Sequence, residues 1–162
     1  MKNIVSSILF CLASLMLLSP TFASGTATAS LGVSVTVDGS CTVSTQPLAF
    51  PVYNPINVAD TTGTGSLSLT CTQGTSATIA LGGGLNNSGS NHLANGANLL
   101  SYKLYQDVGL GSPWSDTIGQ IVTASPAPNT SPRTFTVYGK IPSLQNTPGG
   151  VYSDTVVVTV NY

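Results

Sequence analysis

The sequence predicts an all-β protein, an immunoglobulin-like sandwich of about six to seven short strands in one domain. Three observations carry this. The chain is rich in Ser, Thr, Gly and Val, with charged residues at 6% and hydrophobic residues at 41%, which is the composition of strands and turns. Beyond the first residues, apolar side chains alternate with polar ones in short runs separated by Gly, Pro, Asn and Asp. No stretch there keeps an apolar period of 3.6 for three turns, as a surface helix would.

The elements follow in order. Met1-Lys2-Asn3 opens with a positive charge, Ile4 to Leu18 is nearly unbroken apolar sequence, and Ser19-Pro20 ends it before Thr21-Phe22-Ala23. This reads as a signal peptide over residues 1–23 that directs export, with cleavage after Ala23 and no stable membrane span afterwards. The apolar run is shorter than the ~20 residues that span a bilayer. A lipoprotein reading fails because Cys11 lies inside the run, behind Phe10.

Residues 24–40 hold the first alternating row, Leu31, Val33, Val35 and Val37, followed by polar Asp38-Gly39-Ser40. Residues 41–162 are the size of one domain. Strands are expected at Cys41–Val43, Leu48–Tyr53, Ser66–Thr72, Thr78–Leu81, Leu100–Gln106, Thr134–Lys140 and Tyr152–Tyr162. Gly82 to Asn98 reads as a long polar loop with a tight turn at Asn95-Gly96. In the last run Val156, Val158 and Val160 share one face. Both end runs are apolar and lack the lysine or proline that usually blunts an exposed sheet edge. Each end strand either pairs within its own sheet or is meant to meet another chain.

After residue 23 two cysteines remain, Cys41 and Cys71. In an oxidising compartment an even pair is expected to form a disulfide. A redox-active pair calls for closer spacing such as C-x-x-C, which is absent here.

Several chemistries find no support. The net charge is −1 and there is no basic stripe, which argues against nucleic acid as a partner. Catalytic residues are not expected. The one histidine, His92, stands in a polar loop without a nearby carboxylate, and the five aspartates form no motif. The chain lacks four Cys or His ligands for a structural zinc once a disulfide forms, and it has no Asp-x-Asp-x-Asp calcium loop, so no metal or cofactor is expected. Gly82-Gly83-Gly84 lacks the Lys-Ser/Thr of a phosphate loop. Trp114 is expected to fold back over one end of the sandwich, the alternative being an exposed recognition contact.

Four elements in this order carry a family resemblance. They are the alternating row ending four residues before Cys41, the Ser/Leu/Thr strand closing at Cys71, the Tyr102, Tyr105, Asp107 segment, and Gly150-Val-Tyr-Ser-Asp-Thr-Val-Val-Val-Thr-Val-Asn-Tyr162. Together they resemble the spore coat protein U domain family, which includes subunits of archaic chaperone–usher pili. The resemblance implies an immunoglobulin-like fold lacking its final strand, completed by a donor strand from another chain. It implies as partners a periplasmic chaperone, an outer-membrane usher and further copies of the same or related subunits. Leu31, Val33, Val35 and Val37 would then be the donor strand. Val156, Val158, Val160 and Tyr162 would form the groove or contact the chaperone. The function implied is a structural subunit of a pilus exported through the periplasm to the cell surface, serving adhesion or biofilm formation. The other reading is a self-complete secreted sandwich, a coat or matrix binding protein that does not polymerise.

Overall fold

The computed structural model describes residues 24–162, so the signal-peptide expectation lies outside the described residues. Residues up to Thr36 and residues from Val37 onward form separate units. In the first, residues 24–36 carry no strand, and Leu31, Val33 and Val35 are each more than four-fifths exposed.

The second unit holds nine strands and, among the described residues, no helix. They are β1 (Cys41–Ala49), β2 (Thr61–Cys71), β3 (Ala77–Leu81), β4 (His92–Asn95), β5 (Asn98–Ser101), β6 (Lys103–Tyr105), β7 (Val122–Ala124), β8 (Arg133–Ile141) and β9 (Val158–Asn161). One sheet runs β1-β2-β8-β6, a second β7-β3-β9, and β4-β5 is a separate hairpin. All pairings are antiparallel.

The core forms where the apolar rows of the first two sheets meet. Leu67 and Leu69 of β2, Ile79 of β3 and Ile141 of β8 are fully buried. Around them lie Leu81, Leu100, Tyr102, Leu104, Trp114 and Val137. Trp114 is buried, and its indole N–H donates to the Ile79 carbonyl at 2.9 Å, which satisfies the donor an apolar core would otherwise strand. Cys41 and Cys71 face each other across β1 and β2 and are joined by a disulfide.

The structure differs from the sequence expectations in five places, one being that the last run, expected as a strand over Tyr152–Tyr162, is a strand only at Val158–Asn161. Leu48–Tyr53 is not a separate strand. Leu48 lies inside a longer β1 that ends at Ala49, and residues 50–53 leave the sheet after the register shifts between Gln46 and Ala49. The loop expected over Gly82–Asn98 contains β4, whose hairpin turn is Gly96-Ala97 rather than Asn95-Gly96. Asn95 pairs with Asn98, and φ is +60° at Gly96 and not positive at Ala97, the pattern of a type II′ turn. Leu100–Gln106 divides at Tyr102 into β5 and β6, which belong to different sheets. β7 was not foreseen, because three residues carry too little alternation to register.

Candidate functional site: an open slot between two sheet edges

β1 ends the first sheet and β9 ends the second, and among the described residues no strand lies between them. Backbone parity shows what these edges offer. The Thr72 amide donates to the Ser40 carbonyl at 2.9 Å, one residue beyond the Cys41–Cys71 pair. Hydrogen-bonded and non-bonded pairs alternate along an antiparallel ladder. Thr42, Ser44 and Gln46 therefore bond β2, while Cys41, Val43 and Thr45 turn their N–H and C=O groups to the open side.

The C-terminal run has the same arrangement. Ser153 exchanges both backbone bonds with Ala94, the Thr155 carbonyl accepts from Leu85, and the Val157 carbonyl accepts from Gly82. Residues 153, 155 and 157 thus face their own neighbours. Asp154, Val156, Val158 and Val160 present their backbone groups to the slot, and their side chains turn inward. Val156, Val158 and Val160 are half-buried against the core, whereas Val157 is 62% exposed.

On β1 the inward row is poorly covered. Val43 lies opposite Leu69, which is 0% exposed, yet Val43 itself is 40% exposed. A core-facing valine open to water marks a place where the sandwich lacks a layer.

Two adjoining clefts occupy this gap, sharing Leu48, Phe50, Leu93 and Asp154. One is about 280 Å³ and is bounded by Leu67, Leu81, Tyr102, Leu104, Val137, Val156 and Val158. The other, about 640 Å³, continues to Tyr53, Pro148, Gly150 and Tyr152. Glycines shape the floor beneath Leu48 and Phe50, which both clefts share. A Cβ on Gly65 would lie 2.8–2.9 Å from the Leu48 Cβ, Cα and N atoms, and one on Gly139 would lie 2.6 Å from the Phe50 ring. Segment 48–50 can cross the inner face of β2 and β8 because those positions have no side chain.

One carboxylate enters the slot, and it is fully engaged. Asp154 Oδ2 accepts from the Tyr102 hydroxyl at 2.7 Å, and Oδ1 accepts from the Leu85 amide, the Asn86 amide and Asn86 Nδ2 at 3.0–3.3 Å. Burial, then this bond to Asp154, pushes the Tyr102 phenol well above its ordinary range. The clamp holds the C-terminal run beside residues 85–86 where the β3–β9 ladder has ended.

The other residues singled out from sequence are placed as follows. Leu31, Val33, Val35 and Val37 are exposed and lie outside any strand, and Tyr162 is 63% exposed. His92 has the Ser88 and Ser90 hydroxyls at 3.4 and 3.5 Å. Among the described residues no three His, Cys, Asp or Glu side chains converge as a metal site would require. Also among them, no helix is long and apolar enough to cross a membrane. Sequence reasoning did not find Leu48, Phe50, Leu93, Gly65, Gly139 or the Tyr102–Asp154 pair as parts of the slot. The Gly-x-Tyr-x-Asp pattern at 150–154 was the one signal that pointed toward it.

Comparison with known proteins agrees with this geometry. A chain in the crystal structure of the CsuC–CsuE chaperone–tip adhesion subunit pre-assembly complex, from archaic chaperone–usher Csu pili of Acinetobacter baumannii, superposes with a TM-score of 0.58. It is 19% identical, and the match covers 78% of this chain and 41% of that one, a likeness of fold. Protein U of Myxococcus xanthus is 38% identical over 169 residues, covering 93% of this chain and 92% of that protein. The family model described as the Spore Coat Protein U domain matches residues 27–159. This chain belongs to the Spore Coat Protein U domain family.

Proposed function

We propose that this chain is a structural subunit of a secreted surface fibre, assembled by donor-strand exchange. The observation that carries the reading is the slot, with unpaired backbone groups on both edges and an apolar floor between them. An extended peptide with an alternating apolar row fits such a slot, because main-chain bonds supply affinity and alternate side chains fill the floor. Residues 24–40 have that row, and Leu31, Val33, Val35 and Val37 of one copy enter the slot of another. Burying one Leu and three Val contributes ~6–8 kcal/mol; ordering seven residues costs roughly 7–14 kcal/mol, so the main-chain ladder bonds supply the remainder. Val156, Val158 and Val160 form one wall, and Tyr162 is where a chaperone takes hold.

The likeness to a chaperone–subunit complex supports a periplasmic chaperone that fills the slot until assembly, and an outer-membrane usher that delivers subunits to the cell surface. Adhesion or biofilm formation is the role such a fibre serves. Catalysis has no part in this reading. The family's spore-coat description favours a second reading, a self-complete coat or matrix protein.

The test uses Val35→Asp and deletion of Ser24 to Val37, with fibres scored by electron microscopy and chaperone capture scored by co-purification. Both variants should still bind the chaperone and form no fibres, since an unpartnered carboxylate cannot enter an apolar slot cheaply. Normal fibres from Val35→Asp would refute donor-strand exchange through this row. A natural chain that refolds alone as a stable monomer would establish the second reading.

A further inference from the structure

Arg133 is the first residue of β8, on its inward row, and it faces the disulfide. Its Nη2 lies 4.0 Å from Cys71 Sγ, its Nη1 donates to the Ser125 carbonyl, and its Nε is buried without a hydrogen-bond partner. The one ion pair among the described residues is Lys140–Asp60, so no carboxylate neutralises this guanidinium within 4.0 Å. The surroundings supply no other charge. β1, β2, β3, β7, β9 and segments 72–76 and 125–132 contain no Asp, Glu, Lys, Arg or His. Asp38 lies three residues before Cys41; Asp60 precedes the far end of β2 and is paired with Lys140, which stands on β8 seven residues from Arg133. The two sulfurs also differ in access, since Cys71 is 2% exposed and Cys41 is half-buried at the start of an edge strand.

We propose that Arg133 makes the Cys41–Cys71 disulfide directional, with Cys41 as the sulfur that outside thiols and disulfides reach and Cys71 as the inner, Arg-stabilised thiolate. In oxidation, the Cys41 thiolate attacks the disulfide of an external oxidant, a small-molecule or protein disulfide RSSR. A Cys41 S–SR bond forms, and RS⁻ leaves. The Cys71 thiolate then attacks Cys41 Sγ, closing the Sγ–Sγ bond and expelling the second RS⁻. The two thiols have lost two protons and two electrons, and the oxidant has become two RSH. In reduction the order reverses. An external thiolate attacks Cys41 Sγ and Cys71 leaves as the thiolate, which Arg133 stabilises. A thiolate beside a guanidinium has a lowered pKa, and a lower-pKa thiolate leaves faster. It would also give the idle Nε–H an acceptor. This assignment concerns how the subunit acquires its bridge and does not depend on whether it polymerises.

The experiment starts from the oxidised full chain as isolated from the periplasm or cell surface, treated with reduced glutathione. Thiols are trapped by acid and mapped by mass spectrometry. Glutathione should be found on Cys41, and Arg133→Gln should slow reduction about three- to tenfold, with Arg133→Lys recovering part of the rate. The second readout is thiolate absorbance at 240 nm against pH in Cys41→Ser. The Cys71 midpoint should rise by about one pH unit when Arg133→Gln is added. Glutathione on Cys71, or a reduction rate unchanged in Arg133→Gln, overturns the proposal. Faster reduction overturns it too, and that is the result an unfolded variant would give.

Discussion

The glycine floor of the slot gives a prediction whose size can be worked from the structure. At Gly65 an added Cβ meets Leu48 at its Cβ, Cα and N, all at 2.8–2.9 Å. Two of these are backbone atoms of β1, which pairs with β2, the strand that carries Gly65, so relief requires moving the chain at 47–49. At Gly139 the Cβ meets Phe50 Cζ at 2.6 Å and the two Leu48 methyls at 2.9 Å, which are ends of side chains that can swing into the cleft. Overpacking of this kind costs roughly 1–3 kcal/mol. Displacing Leu48 from its half-buried place forfeits part of the ~1.5–3 kcal/mol of a buried leucine. Gly65→Ala should therefore destabilise by about 3 kcal/mol and Gly139→Ala by about 1 kcal/mol. Denaturant unfolding of the exported chain reads both. Equal effects, or a milder Gly65→Ala, would refute the argument that segment 48–50 is held by close backbone approach.

Three further expectations follow from single contacts. Cys71→Ser should lower stability by ~3–4 kcal/mol, because the bridge closes a loop of about 30 residues; unfolding midpoints with and without reductant check this. Val158→Lys puts an ammonium on the inward row of β9 and should abolish soluble export, so an unchanged periplasmic yield would remove Val158 from the wall. Asp60 is held below the ordinary carboxylate range by the Ser143 amide and then by Lys140. Its contribution is present above the unfolded carboxylate pKa near 4 and is lost as pH falls through the lower folded value. The Ser143 amide resonance should shift in that acid window, and Asp60→Asn should remove the shift.

The alternating valines of 156–160 were legible in the sequence because a period of two survives in any half-buried strand, and the structure places that row against the core. The cysteine pair was legible because its count and compartment constrain it. The opposite wall was not. Leu48 and Phe50 look like part of an ordinary strand, and nothing local announces that the chain leaves β1 there and crosses Gly65 and Gly139, 17 and 91 residues further on from Leu48. Close approach between distant segments is a tertiary fact that alternation does not encode. Asp154 was visible as part of a pattern, but its partners Leu85, Asn86 and Tyr102 lie 69, 68 and 52 residues away.

The clamp on Asp154 also bears on why an apolar strand could enter this slot and how a wrong one would be refused. The edges carry no guarding lysine, and Thr42 and Ser44 point away from the floor, opposite in parity to Val43 and Thr45. Edges built this way invite any extended peptide. Charge cannot provide selection here, because Asp154 is the one charged side chain in 150–162 and its oxygens already accept four hydrogen bonds. A saturated carboxylate presents little bare charge to an incoming methyl row, so if Leu31 to Val37 enters as proposed, no acceptor would be stranded. Discrimination then rests on side-chain volume and register, since a one-residue slip would turn Ser34 and Thr36 onto the floor and the valines to water. Under the proposed donor-strand exchange, partner choice would depend on the alternation of residues 31–37, and the polar Asp38-Gly39-Ser40 that follows would mark where that row stops.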